Sequence, residues 1–398
     1  METLKQQAEW VKKGWFPRDC GGNRICFVLL LTLLSGAVWT GCGDETPLNI
    51  GFVAPLSGPL SDYGLSSRRG GVLAVEEINA DGGIQGRKLA LIVRDDQNDP
   101  LTALKVDEEL VREKVVAIVG HFTSTASVAA TPFANAQKML LISPAASTGK
   151  LTGQADFFLR VHNSHTSFAS ALAEYAYHSL GLKKAAAVYD LANQEYSENY
   201  YVAYKVAFEA LGGTIGCALP FDSRNSPDIA ATVKTVIASG SDHLFIIAGV
   251  SDSASLCQEM RKRGSDMKIL SSGWARRRDF IENGGKSVEG VVLVGLPGAD
   301  AGGARLAAFK KRFSERFGTQ ADFAAIFGYD AVRVLTQGLK QAGAFTPVEI
   351  RSAILRQGTF PGLHGDFSID RYGDAHREVV FFTVRNGAFV YETPPEAD

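Results

Sequence analysis

Cysteine is scarce in this chain. It has five in 398 residues, and three of them, Cys20, Cys26 and Cys42, fall in the first 42 positions. Cys217 and Cys257 remain, and they fit either one disulfide or two buried thiols, because spacing carries no geometry. An excess of charge of either sign is also missing. Lys plus Arg number 41 against 43 Asp plus Glu, for a net charge of −2. Nucleic acid as a partner is therefore excluded, since a phosphate backbone needs a basic face. The run Arg276–Arg277–Arg278 reads as a solvated loop or a local anion contact. Enzyme signatures are lacking too: there is no G-x-S-x-G and no H-E-x-x-H. Residues 284–287, GGKS, imitate the end of a phosphate-binding loop, but Phe280 stands where its first glycine is required. The seven histidines form no metal set, and His162 and His165 read as part of a solvated hinge. No catalytic residue, metal ligand or cofactor motif is assigned. Short-period repeats and low-complexity tracts are absent.

Long apolar runs are limited to residues 25–39, shorter than the ~20 residues a membrane span needs. Lys12, Lys13, Arg18 and Arg24 precede that run, and Thr40–Gly41–Cys42 follows it. A basic segment, an apolar core and small residues before a cleavage point make an export signal over residues 1–41. The end of the segment resembles a bacterial lipobox, in which the cysteine, here Cys42, is lipidated and becomes the mature N-terminus. Trp39 departs from the usual leucine. The expectation is a periplasmic or cell-surface protein held to the membrane by lipid.

Hydrophobic residues make up 45% of the chain, ample for large cores, and the length suggests two or three domains. Residues 49–100 read as strand, glycine-rich loop, helix, glycine turn and strand. Gly71, Ala74, Val75 and Ile78 share one helical face, and Gly82, Gly83 and Gly86 end that helix. This βαβ unit sets the class as α/β. Helices are expected over 102–113, 127–137 and 167–180, with strands at 115–120 and 139–143. A second alternating series follows, with strands at 185–189, 243–248, 268–271 and 290–296 and helices at 195–211, 228–239 and 253–263. Helices at 303–317, 322–342 and 346–357 come next. The chain closes in β-structure, with hairpin signals at 372–374 and 386–387.

The wording G-P-L…G…RRG…AVEEIN…GGI-GRK…D…DP in residues 58–100 resembles type I periplasmic binding proteins, the branched-chain amino acid receptors of ABC transporters. The resemblance covers residues 49–391. It implies two lobes, each a mostly parallel sheet flanked by helices, joined by a three-strand hinge. Lobe 1 would hold 48–161 and 297–363, and lobe 2 would hold 162–296 and 364–392. The crossings would fall near 161–163, 295–298 and 364–367.

Two loops attract attention from the residues alone. Residues 120–125, GHFTST, follow one buried strand, and residues 143–148, SPAAST, follow another. Both lie at carboxyl ends of parallel strands, where open α/β sheets bind ligands. Both place hydroxyl residues at or near a helix start, which suits an anion or a simple N-cap. The resemblance adds roles by position. Ser124 matches the serine that binds the ligand carboxylate, Ser147 stands in place of a threonine, and Ala146 offers a carbonyl to the ligand ammonium. Tyr63 matches an aromatic cover and Tyr196 a second-lobe tyrosine, although Ser197 replaces the usual glycine. Tyr200 and Tyr204 read as core. In residues 268–277 the family's acid before glycine, which pairs with the ammonium, is replaced by Ser272, followed by Gly273 and Trp274. Asp252 or Asp330 are the available substitutes. The resemblance therefore implies a carboxylate clamp without the family's ammonium clamp.

The expected function is capture of a small carboxylate, an amino acid or organic acid, and its delivery to an ABC permease in the inner membrane. A ligand-sensing module for a membrane signalling partner is the alternative. A hydrolase on the same scaffold would need a nucleophile and base, which the sequence does not offer.

Overall fold

β1 (Leu48–Ala54) alternates Ile50, Phe52 and Ala54 on one face with Gly51 and Val53 on the other, and it is buried on both. Continuous apolar character of this kind belongs to a parallel strand covered on two sides. The computed structural model describes residues 46–297 and 303–392. Cys42 and the export segment lie outside the described residues. After β1 come α1 (Ser61–Ala80), β2 (Leu89–Asp95), α2 (Pro100–Arg112), β3 (Ile118–Val119), α3 (Ser124–Gln137), β4 (Leu141–Ser143) and β5 (Phe158–Arg160). The five strands form one parallel sheet in the order β2-β1-β3-β4-β5.

The second series is α4 (His165–Glu174), β6 (Lys184–Asp190), α5 (Gln194–Ala210), β7 (Thr214–Phe221), α6 (Ile229–Ala238), β8 (His243–Ile247), α7 (Val250–Lys262), β9 (Lys268–Ser271), α8 (Arg278–Gly284) and β10 (Val292–Gly295). The chain then runs through α9 (Gly303–Phe317), α10 (Phe323–Gln341), α11 (Pro347–Gln357), β11 (Thr359–Gly362), β12 (Gly365–Ile369), β13 (Ala375–His376), β14 (Val380–Arg385) and β15 (Ala388–Glu392). The second sheet has seven strands in the order β15-β14-β10-β9-β8-β6-β7. It is parallel from β7 to β10, while β14 and β15 run antiparallel. Asn386 and Gly387, with φ of 52° and 69°, make the turn between the last two strands, the geometry a two-residue hairpin requires.

Side-chain caps set several helix starts. Asp99, Thr123, Asp322 and Thr346 each accept a backbone N–H from the first turn, which satisfies one of the donors a helix leaves unpaired. α3 consequently begins three residues before the expected 127, because Thr123 caps it. The helix expected over 167–180 is α4 followed by one π-helical turn, Tyr175–Ser179.

The core of the first sheet has two sides. Val53, Val106, Leu110, Ala130 and Ala134 pack β1 against α2 and α3. On the other face Phe52 packs beneath α1 and α10. In the second half, Tyr204 and Phe208 of α5 stack on each other, the Tyr204 ring packs at a tilt against Phe245 of β8, and the Tyr204 hydroxyl bonds His243 Nε2 at 2.8 Å. Burying each such ring contributes about 1.5–3 kcal/mol, and the paired hydroxyl avoids the cost of an unsatisfied buried group. Cys217 in β7 and Cys257, buried in α7, are free thiols.

β11, β12 and β13 form a separate antiparallel sheet. It is tied to the first sheet, not the second. Gly373 O accepts the Arg160 N–H at 3.0 Å, and Asp374 pairs with the buried Arg160 guanidinium at 2.5 Å. The chain pairs with the second sheet only from Val380 onward, later than the crossing expected at 364–367. A fully buried arginine is costly without a partner, and Asp374 supplies one to Arg160 while this segment stays beside β5. No helix among the described residues is long and apolar enough to cross a membrane.

Candidate functional site

The carboxyl ends of β3, β4, β6, β9 and β10 converge on one cavity of about 70 Å³. Each strand contributes through the residues that follow it. Phe122 comes from the loop after β3, and Ala145 and Ser147 come from the loop after β4. Asn193, Tyr196 and Tyr200 enter from the start of α5, and Gly273, Trp274 and Arg276 from the turn after β9. Val294, Gly295 and Leu296 end β10, while Phe323 and Phe327 project from α10. His162 and Phe168, at the connection between the two sheets, complete the wall.

The two loops of the first sheet are locked to each other. The Ser127 and Ser143 hydroxyls both donate to the His121 carbonyl, at 3.2 and 2.6 Å. Ala146 N–H donates to Ser143 Oγ at 2.9 Å, and Ser147 N–H donates to Ser124 Oγ at 3.2 Å. The His121 ring lies between Asp96, 2.8 Å from Nδ1, and Asp107, 3.2 Å from Nε2. Burial alone would lower its pKa, but the charges and hydrogen bonds of Asp107 and Asp96 outweigh it and raise the pKa to about 10.

Three residues expected at the site line the cavity: Ser147, Tyr196 and Trp274. Ser147 Oγ is buried and has no hydrogen-bond partner, so it is free for a ligand. Ser124 does not reach the cavity. Its hydroxyl supports Ser147 from behind, and the α3 N-terminus is occupied by Thr123 and by Asn193, whose Oδ1 takes the Thr125 N–H at 3.2 Å. The loop after β4 opens into a three-residue 3₁₀ turn, Gly149–Leu151, so no α-helix dipole is aimed from there. Ala146 is fully buried beneath the loop and does not line the cavity. Tyr63 also lies outside it. Its hydroxyl donates to Trp274 O and accepts from Val250 N–H, both at 3.3 Å, which joins α1 to the second half of the molecule. Its ring stacks on Phe122 at 6.4 Å. Ser272 is buried one residue behind Gly273, and its hydroxyl has no partner. The Tyr196 phenol lies beside it without hydrogen-bond geometry.

The substitutes for the missing acid are elsewhere. Asp330 pairs with Arg377 at 2.7 Å and accepts Leu363 N–H at 3.1 Å. Asp252 sits in the first turn of α7 and is not part of the cavity wall, and burial followed by the nearby Asp190 charge lifts its pKa to about 6. His165 is buried and His162 only partly exposed, contrary to the solvated hinge expected. Burial, with help from Arg377, Arg160 and Arg276, lowers His162 to about 4, so the imidazole facing the cavity is neutral. His165 is 2% exposed and stacks on Tyr200 at 5.7 Å.

Arg276 and Tyr200 were not expected in the site. Tyr200 follows Tyr196 by one helical turn, the spacing that puts both on one face, and its buried hydroxyl is unpartnered. Arg276 follows Trp274 by two residues and lies with its guanidinium 4.5 Å from the Phe382 ring centre.

Known proteins resemble this arrangement. The family model described as "Periplasmic binding protein" matches residues 47–388. The chain belongs to that family. Its members are solute-binding proteins, not enzymes, and they work outside the cytoplasm with ABC permeases. A leucine-, isoleucine-, valine-, threonine- and alanine-binding protein of Pseudomonas aeruginosa is 24% identical over 357 residues, 89% of this chain and 94% of that one. Among solved structures, the leucine-binding protein LivK of Thermotoga maritima has a TM-score of 0.80 and 27% identity, covering 87% of this chain and 98% of that one. A solute-binding protein of Rhodopseudomonas palustris, solved with 3,4-dihydroxybenzoic acid, has a TM-score of 0.77 at 22% identity, covering 87% and 95%. The last likeness is one of fold.

Proposed function

We propose that this protein is the extracytoplasmic substrate-binding component of an ABC transporter and captures a small carboxylate, an amino acid or an organic acid, in this cavity. The observation that carries the reading is Ser147. Its hydroxyl is buried, unpartnered and turned into a cavity at the carboxyl ends of the parallel strands of both sheets, and an unmade buried hydrogen bond is costly unless a ligand completes it. Relatives named for leucine, isoleucine and valine support the size class. The two sheets are the centres of two lobes, about 48–161 with 297–363 and 162–296 with 364–392, except that 364–376 stays with the first. Cys42 carries the lipid anchor, and a lipid-bearing peptide beginning at Cys42 is the mass-spectrometric check. Replacing Ser147 by Ala is expected to weaken carboxylate binding by about 1.5–3 kcal/mol, the range for a hydrogen bond to a charged group. Calorimetry on refolded, ligand-stripped protein with amino and organic acids measures this. Unchanged affinity for every acid that binds would remove the assignment.

A further inference from the structure

Among the described residues, the cavity wall contains one charge with no partner. Among the described residues that line it, Arg276 alone carries a formal charge, and no Asp or Glu is present. No hydrogen bond or ion pair reaches its guanidinium from another described residue. The contrast with its neighbours is plain: Arg277 pairs with Asp322 at 3.3 Å and Arg278 with Glu282 at 2.6 Å. Arg276 is instead held by the face of Phe382. Gly295, which also lines the cavity, leaves it room. A Cβ there would stand 3.2 Å from Arg276 Nε and 3.7 Å from Cζ. The Arg276 side chain is half-buried, and that burial is the one cause acting on its acidity, which brings the pKa down to about 10 and leaves it cationic at neutral pH.

We infer that Arg276 is the counter-charge for the bound molecule, and that this molecule is an organic acid with an aromatic or otherwise apolar body and no ammonium group. The inference rests on the carboxylate-capture reading above and narrows it. A carboxylate entering this cavity meets one guanidinium without an ion-pair partner among the described residues, and the two charges offset each other. An amino acid would add an ammonium to a site that already holds a cation and, in the described wall, no acid. Burying an uncompensated charge is the strongly unfavourable case. Phe122, Phe168, Trp274, Phe323 and Phe327 supply flat apolar walls for the remainder. Planar guanidinium groups also bind carboxylates through two parallel N–H donors, which a lysine cannot reproduce.

The test uses benzoate, its neutral isostere benzamide, L-leucine and L-phenylalanine as probes of refolded full-length protein by titration calorimetry. Wild type is expected to bind benzoate and to prefer it to benzamide by at least tenfold, with neither amino acid competing. Arg276→Met is expected to lose about 10- to 150-fold in benzoate affinity, the span for a charge-assisted hydrogen bond. It is also expected to abolish the preference over benzamide, a change that a merely structural role would not produce. Gly295→Ala, which crowds the guanidinium without removing it, is expected to shift the same preference less, so the result does not depend on one variant folding. Tight L-leucine binding unaffected by Arg276→Met, with no response to benzoate, would overturn the inference and leave carboxylate capture standing. Failure of all the acids, amino and organic, would overturn both.

Discussion

The His121 imidazole sits between the Asp96 and Asp107 carboxylates, and all three residues are fully buried. A doubly paired buried cation tolerates the loss of a partner poorly: removing one costs about 3–5 kcal/mol. The pH dependence follows from the direction of the shift. The folded pKa of about 10 lies above the unfolded value near 6.5. This contribution is therefore fully present below about pH 6.5 and is lost as pH rises through 10. Urea denaturation at pH 6.5, 8 and 10 is expected to show His121→Gln less stable than wild type by an amount that shrinks with rising pH. A constant gap would mean the ring acts by packing alone. Because the His121 carbonyl takes the Ser127 and Ser143 hydroxyls, the same variant is expected to loosen the Ser147 loop and weaken ligand binding. Ser147 was legible as part of a loop after a buried strand, while Tyr196 and Trp274 were named through the family resemblance, and all three line the cavity. The sequence could not place Arg276, since three consecutive arginines look alike until folding gives two of them carboxylates and leaves the third facing the cavity.

At the scale of elements, α1 and α10 cross at closer range than ordinary side chains permit. A Cβ on Gly70 would lie 1.9 Å from Ala325 O, and one on Gly328 would lie 2.1 Å from Ser67 O. Both obstacles are backbone, so no rotamer change relieves them. The Ser66 hydroxyl bonds Asp322 Oδ1 at 2.5 Å along the same seam, and Asp322 also caps α10. Gly70→Ala and Gly328→Ala are each expected to destabilise the protein by about 3 kcal/mol, the upper part of the usual overpacking range. Gly343→Ala, where a Cβ meets nothing within 4 Å, is expected to change stability by less than about 0.5 kcal/mol. Equilibrium denaturation of the three variants decides the matter. The crossing also serves the site, because Phe323 and Phe327 on α10 form one wall of the cavity. Helical periodicity made both helices legible, but it gave no sign that they meet glycine to backbone, since that contact joins residues more than 250 positions apart.

The whole molecule brings the sheets together around the cavity through contacts that link its two halves. Besides the Tyr63 hydroxyl, Asn98 Nδ2 donates to Ala192 O at 2.5 Å, Thr125 meets Asn193 at 3.2 Å, and Lys150 pairs with Glu195 at 2.8 Å. Most are single polar contacts, each contributing about 0.5–1.5 kcal/mol, and the half-exposed Lys150 pair contributes less than about 1 kcal/mol. On the two-lobe reading proposed above, such a set closes the cleft only marginally, and a ligand touching both halves shifts the balance by its differential affinity for the closed state. Saturating benzoate is therefore expected to reduce the radius of gyration measured by small-angle scattering. Tyr63→Phe, which removes the hydroxyl bridge and keeps the ring, is expected to weaken binding a few-fold. A scattering profile that stays the same at saturation would count against a hinged cleft.

What the sequence determined by itself was local or periodic. Alternating strands and helices, the glycines that end α1 and the hairpin at Asn386–Gly387 rest on backbone geometry and on a repeat of two or 3.6 residues. These need no knowledge of distant contacts. The loops after β3 and β4 could be read as a site because strand ends in parallel sheets face one way. The tertiary structure decided matters that depend on pairing. It turned Ser124 into a support for Ser147 and made Tyr63 a bridge. It gave Asp330 to Arg377 and kept residues 364–376 beside the first sheet to neutralise Arg160. Among the described residues, it also left Arg276 without a carboxylate. Charge compensation and hydrogen bonding in a low-dielectric interior are settled between groups far apart in the chain. The composition, with its near-equal acids and bases, gave no indication of which charge would stay unpaired.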